Sequence, residues 1–62
     1  MFDAYVIEVA DEPAGIVARD RGGFRFHAAS DAFRALDGRE FRRPRDAERA
    51  ARELIERRSR HG

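Results

Sequence analysis

The chain has 62 residues, a formal net charge of +1 from 13 basic and 12 acidic side chains, and no cysteine. A chain this short holds one domain and buries only about 60% of the surface that its unfolded form exposes. The lack of cysteine excludes disulfides and thiolate metal sites, and the balanced charge argues against a nonspecific polyanion binder.

The sequence contains no segment that approaches the roughly 20 consecutive apolar residues needed to cross a bilayer. Its start also lacks a basic stretch followed by a long apolar run, which is the pattern of a secretory signal. We therefore expect a soluble, cytoplasmic protein that does not bind membranes.

A first strand is predicted over residues 2–9, where β-branched and aromatic side chains crowd together. Both faces of this strand are apolar, since Phe2, Ala4 and Val6 alternate with Tyr5, Ile7 and Val9. A strand of this kind is either central in its sheet or has its second face covered by a short helix or by another copy of the chain.

Residues 10–15 are typical of a loop, because they combine acidic residues with a proline and a glycine. A second strand follows over residues 16–19, and Gly22 and Gly23 predict a tight turn. The third strand shows the clearest alternation, with apolar Phe24, Phe26 and Ala28 between Arg25 and His27.

Two helices are predicted in the second half. Ser30 is a suitable N-cap for a short helix over residues 30–36, with Phe33 and Leu36 facing inward and Gly38 at a left-handed C-cap. Residues 39–43 are either a short edge strand or an extended connection. Pro44 then begins an amphipathic helix over residues 44–58, whose apolar stripe is Ala47, Ala50, Ala51, Leu54 and Ile55.

These elements predict an α+β fold. A small antiparallel sheet of three or four strands carries the short helix near 30–36, and the C-terminal amphipathic helix near 44–58 packs on one face. One domain over residues 1–58 is followed by a frayed tail over 59–62. The helix also offers three ion pairs in which the acid precedes its base by four residues: Glu48 with Arg52, Glu53 with Arg57, and Glu56 with Arg60.

The residues that carry catalysis in other proteins are sparse here. Ser30 is explained as a helix cap, and Ser59 lies in the predicted tail near His61. His27 has no second histidine on an ordered element, and the carboxylates alternate with arginines instead of forming a ligand cluster. We therefore predict no enzymatic activity, no cofactor and no metal site.

All thirteen Lys or Arg residues are arginine, whose planar guanidinium group suits bidentate contacts with phosphate or carboxylate. If they converge, the basic residues of the sheet and of the start of the last helix form an anion or nucleic-acid contact. The candidate set is Arg19, Arg25, His27, Arg39, Arg42, Arg43 and Arg45. Neighbouring acidic residues favour the alternative in which these side chains are solvated and neutralised.

The stretches FRFHAASDAFRALDGREF and PRDAERAARELI together resemble small single-domain bacterial proteins with no established activity, built from an aromatic strand, an FxxLDG turn and an alanine-rich helix. This resemblance covers roughly residues 14–55 and implies no cofactor or catalytic residue. AERAAREL is also similar to the helix of AP2-type DNA-binding domains, which back a three-stranded sheet. That family reads DNA with Arg and Trp, and this chain has no Trp.

The function predicted from the sequence is a small noncatalytic interaction module. Its expected partner is a protein, with a homodimer through the second face of the first strand as the specific form, because a core this small benefits from added burial. The alternative is a nucleic-acid-binding domain that uses the arginine-bearing sheet face and the start of the last helix.

Overall fold

The computed structural model describes the backbone of residues 3–61 and the side chains of residues 3–58. Its antiparallel sheet has the order β1-β2-β3-β4, with β1 Ala4–Val9, β2 Glu12–Asp20, β3 Gly23–Ala28 and β4 Glu40–Phe41. A 3₁₀ helix Asp31–Leu36 precedes β4, and the helix α1 Pro44–His61 ends the fold. The predicted α+β class is confirmed. Phe2, expected in the first strand, and Gly62 lie outside the described residues.

The first hairpin differs from the sequence prediction in two ways. The expected loop over residues 10–15 is only a two-residue turn, because Val9 pairs directly with Glu12 and β2 begins there. The proline at position 13 is tolerated because it lies opposite Glu8 and beyond Ala28, the last residue of β3, where β2 has only one neighbouring strand. β1 lies at an edge of the sheet. Of the alternatives predicted from its two apolar faces, a central position in the sheet is therefore wrong.

A β-bulge fixes the register of this hairpin. The pairing passes from Ile7 opposite Gly15 to Glu8 opposite Pro13, which leaves Ala14 as the extra residue on β2. Ala14 is completely buried, and its carbonyl accepts a 2.9 Å hydrogen bond from the backbone N–H of Ala29. The bulge therefore ties the first hairpin to the segment that follows β3.

The second hairpin and the 3₁₀ helix follow the predicted positions. β2 and β3 are joined at Arg21 and Gly22, and Gly38 has the predicted left-handed conformation, with φ of 84°. Phe33 and Leu36 are buried as expected. However, the helix is 3₁₀ and not α, and Ser30 caps it without a side-chain hydrogen bond. The Asp37 carboxylate instead accepts a 2.9 Å hydrogen bond from the Ala28 N–H.

The core lies between the sheet and the two helices. Ala47 and Ala51 of α1 are completely buried, so the apolar stripe of the helix faces the sheet as predicted. The largest fully buried side chains are Phe26, Phe33 and Val17. The short alanine side chains let the helix backbone lie close to the aromatic rings, which is how a core of this size reaches tight packing.

The helix is longer than predicted, since its backbone stays helical through His61 and includes residues 59–61 of the expected tail. Glu48 and Arg52 form one predicted ion pair, at 2.9 Å. Among the side chains at positions 3–58, Glu53 and Arg57 are not within ion-pair distance, and Arg60 lies outside that set. In the part of the chain that the structure describes, no helix is long and apolar enough to span a membrane.

Changing Ala10 to Gly is expected to stabilise the protein. Ala10 and Asp11 have φ of 53° and 65°, in the left-handed region that L-residues other than glycine occupy at a cost of about 1–2 kcal/mol. After the greater chain entropy of unfolded glycine is subtracted, a net gain of about 0.5–1 kcal/mol remains. Thermal unfolding of the native chain and of Ala10→Gly measures this gain in stability. Ala29→Gly, at an exposed position where φ is not positive, serves as the control and should lower stability; a loss at both positions would contradict the assigned turn.

Changing Gly15 to Ala is expected to destabilise the fold more than changing Gly38 to Ala. A Cβ at position 15 would collide with the backbone oxygen of His27 and come within 2.9 Å of the Phe26 ring, whereas a Cβ at position 38 meets nothing within 4 Å. Overpacking costs about 1–3 kcal/mol in addition to backbone strain. Urea unfolding of both variants measures the difference, and equal losses would show that close packing at Gly15 is unimportant.

Candidate functional site

The surface of the sheet opposite α1 is covered by no helix of the described residues, and we call it the outer face. Strand register forms two rows across β1, β2 and β3. One row is Ala4, Ala18 and Arg25, and the other is Val6, Ile16 and His27. Successive side chains of a strand point to opposite faces, so these residues share a face and the buried Val17 and Phe26 point the other way. The members of the outer face are Ala4, Val6, Glu8, Pro13, Ile16, Ala18, Asp20, Arg25, His27 and Glu40.

One half of the outer face is apolar. We define the apolar strip as Ala4, Val6, Ile16 and Ala18, which lie on β1 and β2. Val6 and Ile16 pair directly across the two strands and remain 67% and 42% exposed. Neighbouring β-branched residues in water are typical of a surface that binds something, whereas isolated exposed apolar residues are common on any protein.

The other half of the outer face is charged and internally paired. The Arg25 guanidinium group donates hydrogen bonds to Asp20 at 3.0 Å, to Glu40 at 3.2 Å and to the Gly38 carbonyl at 3.0 Å. These bonds connect β2, β3, β4 and the turn before β4. Because the ion pairs are well exposed, each contributes little to stability. Together the three bonds use three of the five N–H donors of the Arg25 guanidinium group, one at each of its nitrogens.

The Asp20 carboxylate has a pKa below its ordinary value of 3.8. The first cause is a hydrogen bond from the backbone N–H of Arg21, at 2.7 Å, and the second is the side chain of Arg25. Both donors favour the ionised carboxylate over the protonated form. Asp20 therefore fixes the turn between β2 and β3 at neutral pH.

The sequence-predicted basic residues do not converge on one site. Arg19 points to the helix side of the sheet, because it is in register with Phe24 and not with Arg25. There its guanidinium group forms a 2.7 Å ion pair with Asp3 and lies 4.9 Å from the centre of the Phe24 ring. Arg39 is stacked over the ring of Phe41 at 5.3 Å.

The remaining members of the predicted set lie apart from these. His27 is exposed on the outer face, in register with Ile16. Arg42, Arg43 and Arg45 are exposed around the first residues of α1. For side chains at positions 3–58, no ion pair engages these three arginines.

Two open grooves lie on the surface of the described residues. A groove of about 240 Å³ between the 3₁₀ helix and α1 contains Arg39, Glu53 and Arg57, and another of about 260 Å³ near the end of β3 contains Ser30, Asp31 and Arg34. Neither groove contains His27. Among the side chains of residues 3–58, no cluster of three His, Cys, Asp or Glu is placed to hold a metal ion.

Comparison of the chain with protein-family models, with curated proteins and with solved structures found no match.

Changing Asp20 to Asn is expected to lower stability at neutral pH and to leave it nearly unchanged in acid. The pKa of Asp20 is lower in the folded protein, so its ionisation contributes stability above its unfolded value, near 3.8, and that contribution is lost as the pH falls through the folded value. Urea unfolding of both proteins across acidic pH measures the difference. Asp31→Asn is the control, because Asp31 is bonded only to Arg34, at 3.8 Å. A difference that grew on acidification would contradict the assignment.

Proposed function

We propose that this chain is a noncatalytic interaction module whose partner is a second copy of itself, bound through the apolar strip. The observation that carries the proposal is the exposure of Val6 and Ile16 side by side on a face that α1 does not cover. A domain this small gains more from added burial than a large one does, because its own core contributes only about 3–5 kcal/mol.

The magnitude of this burial indicates a weak dimer. Full burial of a Val or Ile side chain contributes about 1.5–3 kcal/mol, so covering the exposed parts of Val6 and Ile16 on both copies contributes about 4 kcal/mol. Association itself costs about 4–15 kcal/mol in lost freedom of motion. The apolar strip alone is therefore marginal, and a dimer that forms at useful concentrations needs additional contacts.

The nucleic-acid alternative has less support from the same surface. Arg19 and Arg25, which the sequence prediction placed on one binding face, lie on opposite faces, and both are paired with carboxylates. Phosphate binding by these residues would require breaking those pairs. The exposed Arg42, Arg43 and Arg45 remain the residues through which this alternative would act.

Self-association is expected to depend on Val6. A net binding free energy of about 4 kcal/mol, after the cost of association is subtracted, corresponds to half association at about 1 mM. With the additional contacts that the dimer needs, light scattering after size exclusion in a concentration series up to about 1 mM should show the native chain passing from monomer to dimer. Val6→Arg should remain monomeric because it places a charge in the apolar strip. Ala35→Arg adds the same charge at an exposed position on the 3₁₀ helix and should leave the dimer intact.

Two results would overturn this proposal. The first is a native chain that stays monomeric throughout the concentration series. The second is binding of DNA or RNA at low salt that is lost in Arg43→Ala and retained in Val6→Arg, which would identify the arginines at the start of α1 as the functional surface.

A further inference from the structure

The backbone of β1 alternates between groups that bond to β2 and groups that have no backbone partner within residues 3–61. The Arg19 N–H donates a 2.8 Å hydrogen bond to the Asp3 carbonyl, which shows that Asp3 directs its backbone groups toward β2. In an antiparallel pair the direction alternates along the strand. Tyr5 and Ile7 therefore also bond to β2, while Ala4, Val6 and Glu8 direct their N–H and C=O groups away from the sheet.

These outward groups lie on an edge with little protection. Natural edge strands avoid pairing with other chains through charges, prolines, bulges or short length. β1 has six residues with one charge, at Glu8, and the bulge of this hairpin is on β2. The opposite edge is different, because β4 has two residues and is followed shortly by Pro44.

We propose that β1 pairs with β1 of a second copy, antiparallel and with Val6 opposite Val6, so that two four-stranded sheets form one continuous sheet. The inference rests on the proposed function and specifies its geometry. This register places outward-directed residues opposite one another along the strand: Ala4 opposite Glu8, Val6 opposite Val6, and Glu8 opposite Ala4. All three free positions of each strand then form backbone hydrogen bonds.

The acidic residues of β1 and of the residue before it favour this register over a register shifted by one residue. A shift by one residue would place outward groups opposite groups already bonded to β2, and in one direction it would also set Asp3 against Glu8 of the second copy. With Val6 opposite Val6, Glu8 faces an alanine, and Asp3 is already neutralised by Arg19 at 2.7 Å. Like charges are therefore not placed directly opposite each other.

The pairing also accounts for the exposed apolar residues of β1. A two-fold axis that relates antiparallel edge strands is perpendicular to the sheet, so the outer faces of both copies lie on the same side. The two apolar strips then join through the Val6 pair. On the helix side, Tyr5, which is 48% exposed, comes opposite Ile7 of the second copy and loses contact with water.

Amide hydrogen exchange of the native chain, followed by NMR at increasing concentration, tests the geometry. The amides of Ala4, Val6 and Glu8 should exchange at least about tenfold more slowly in a sample that is mostly dimer than in the monomer, because exchange then requires dissociation. The amides of Tyr5 and Ile7 are the internal control, since they bond to β2 in either state.

The outcomes separate this inference from the proposed function. A dimer in which the Ala4, Val6 and Glu8 amides exchange as in the monomer would overturn edge pairing while self-association through the apolar strip survives. A chain that stays monomeric in the same samples would overturn both. Protection of those three amides that rises together with the dimer fraction supports the inference.

Single cysteines test the register independently, because the native chain contains none. Residues opposite each other in a hydrogen-bonded antiparallel pair lie about 5.5 Å apart between Cα atoms, within the range of a disulfide. Val6→Cys should therefore form a disulfide-linked dimer under mild oxidation, and Ala18→Cys, one strand away from the seam, should not. Preferential crosslinking of Ala18→Cys would indicate face-to-face stacking of the outer faces and would overturn edge pairing.

Discussion

The contact between α1 and the sheet is the constraint on which the other features depend. Ala47 and Ala51 have no exposed surface, and the rings of Phe26 and Phe33 fill the space beneath the helix without any accessible area. One helix and one 3₁₀ turn cover one face of a four-stranded sheet, and the described chain has no further helix with which to cover the other. The outer face is therefore left in water by the architecture itself.

The two halves of the outer face differ in whether their side chains have partners within the chain. At the charged half, Arg25 satisfies the carboxylates of Asp20 and Glu40, so this region needs no partner. At the apolar half, Val6 and Ile16 gain only limited cover from each other. The free backbone groups of β1 lie along the same edge, so uncovered apolar side chains and unpaired amides occur together. A partner strand bonds the amides and places a second Val6 beside the first, and this coincidence favours self-association over a ligand that recognises charge.

Several arginines that suggested a binding site from the sequence act within the fold. Arg19 forms an ion pair with Asp3 and lies over the face of the Phe24 ring, and Arg39 lies over the face of the Phe41 ring. Arg58 donates a hydrogen bond to the Ala32 carbonyl at 3.1 Å and links α1 to the 3₁₀ helix. In a domain with few apolar residues, the long arginine stems supply part of the packing that larger proteins obtain from the core.

Local patterns of residues were sufficient to predict several elements of the fold. Pro44 and the alanine stripe specify the helix and its buried side, the alternation from Phe24 to Ala28 specifies β3 and its inner face, and Gly38 specifies a left-handed turn. Each of these predictions depends only on residues that are close in sequence, because the periodicity of apolar side chains within one helix or strand shows which of its faces is buried. The alternation of residues in the first strand also predicted that both of its faces are apolar.

Only the tertiary structure decided how those elements are placed relative to one another. Alternation shows which residues of one strand share a face, but it does not give the register between strands, and a shift of one residue moves a side chain to the other face. For this reason Arg19 was grouped with Arg25 although it is in register with Phe24. The edge position of β1 and the bulge at Ala14 likewise depend on pairing between separate segments, which no local pattern records.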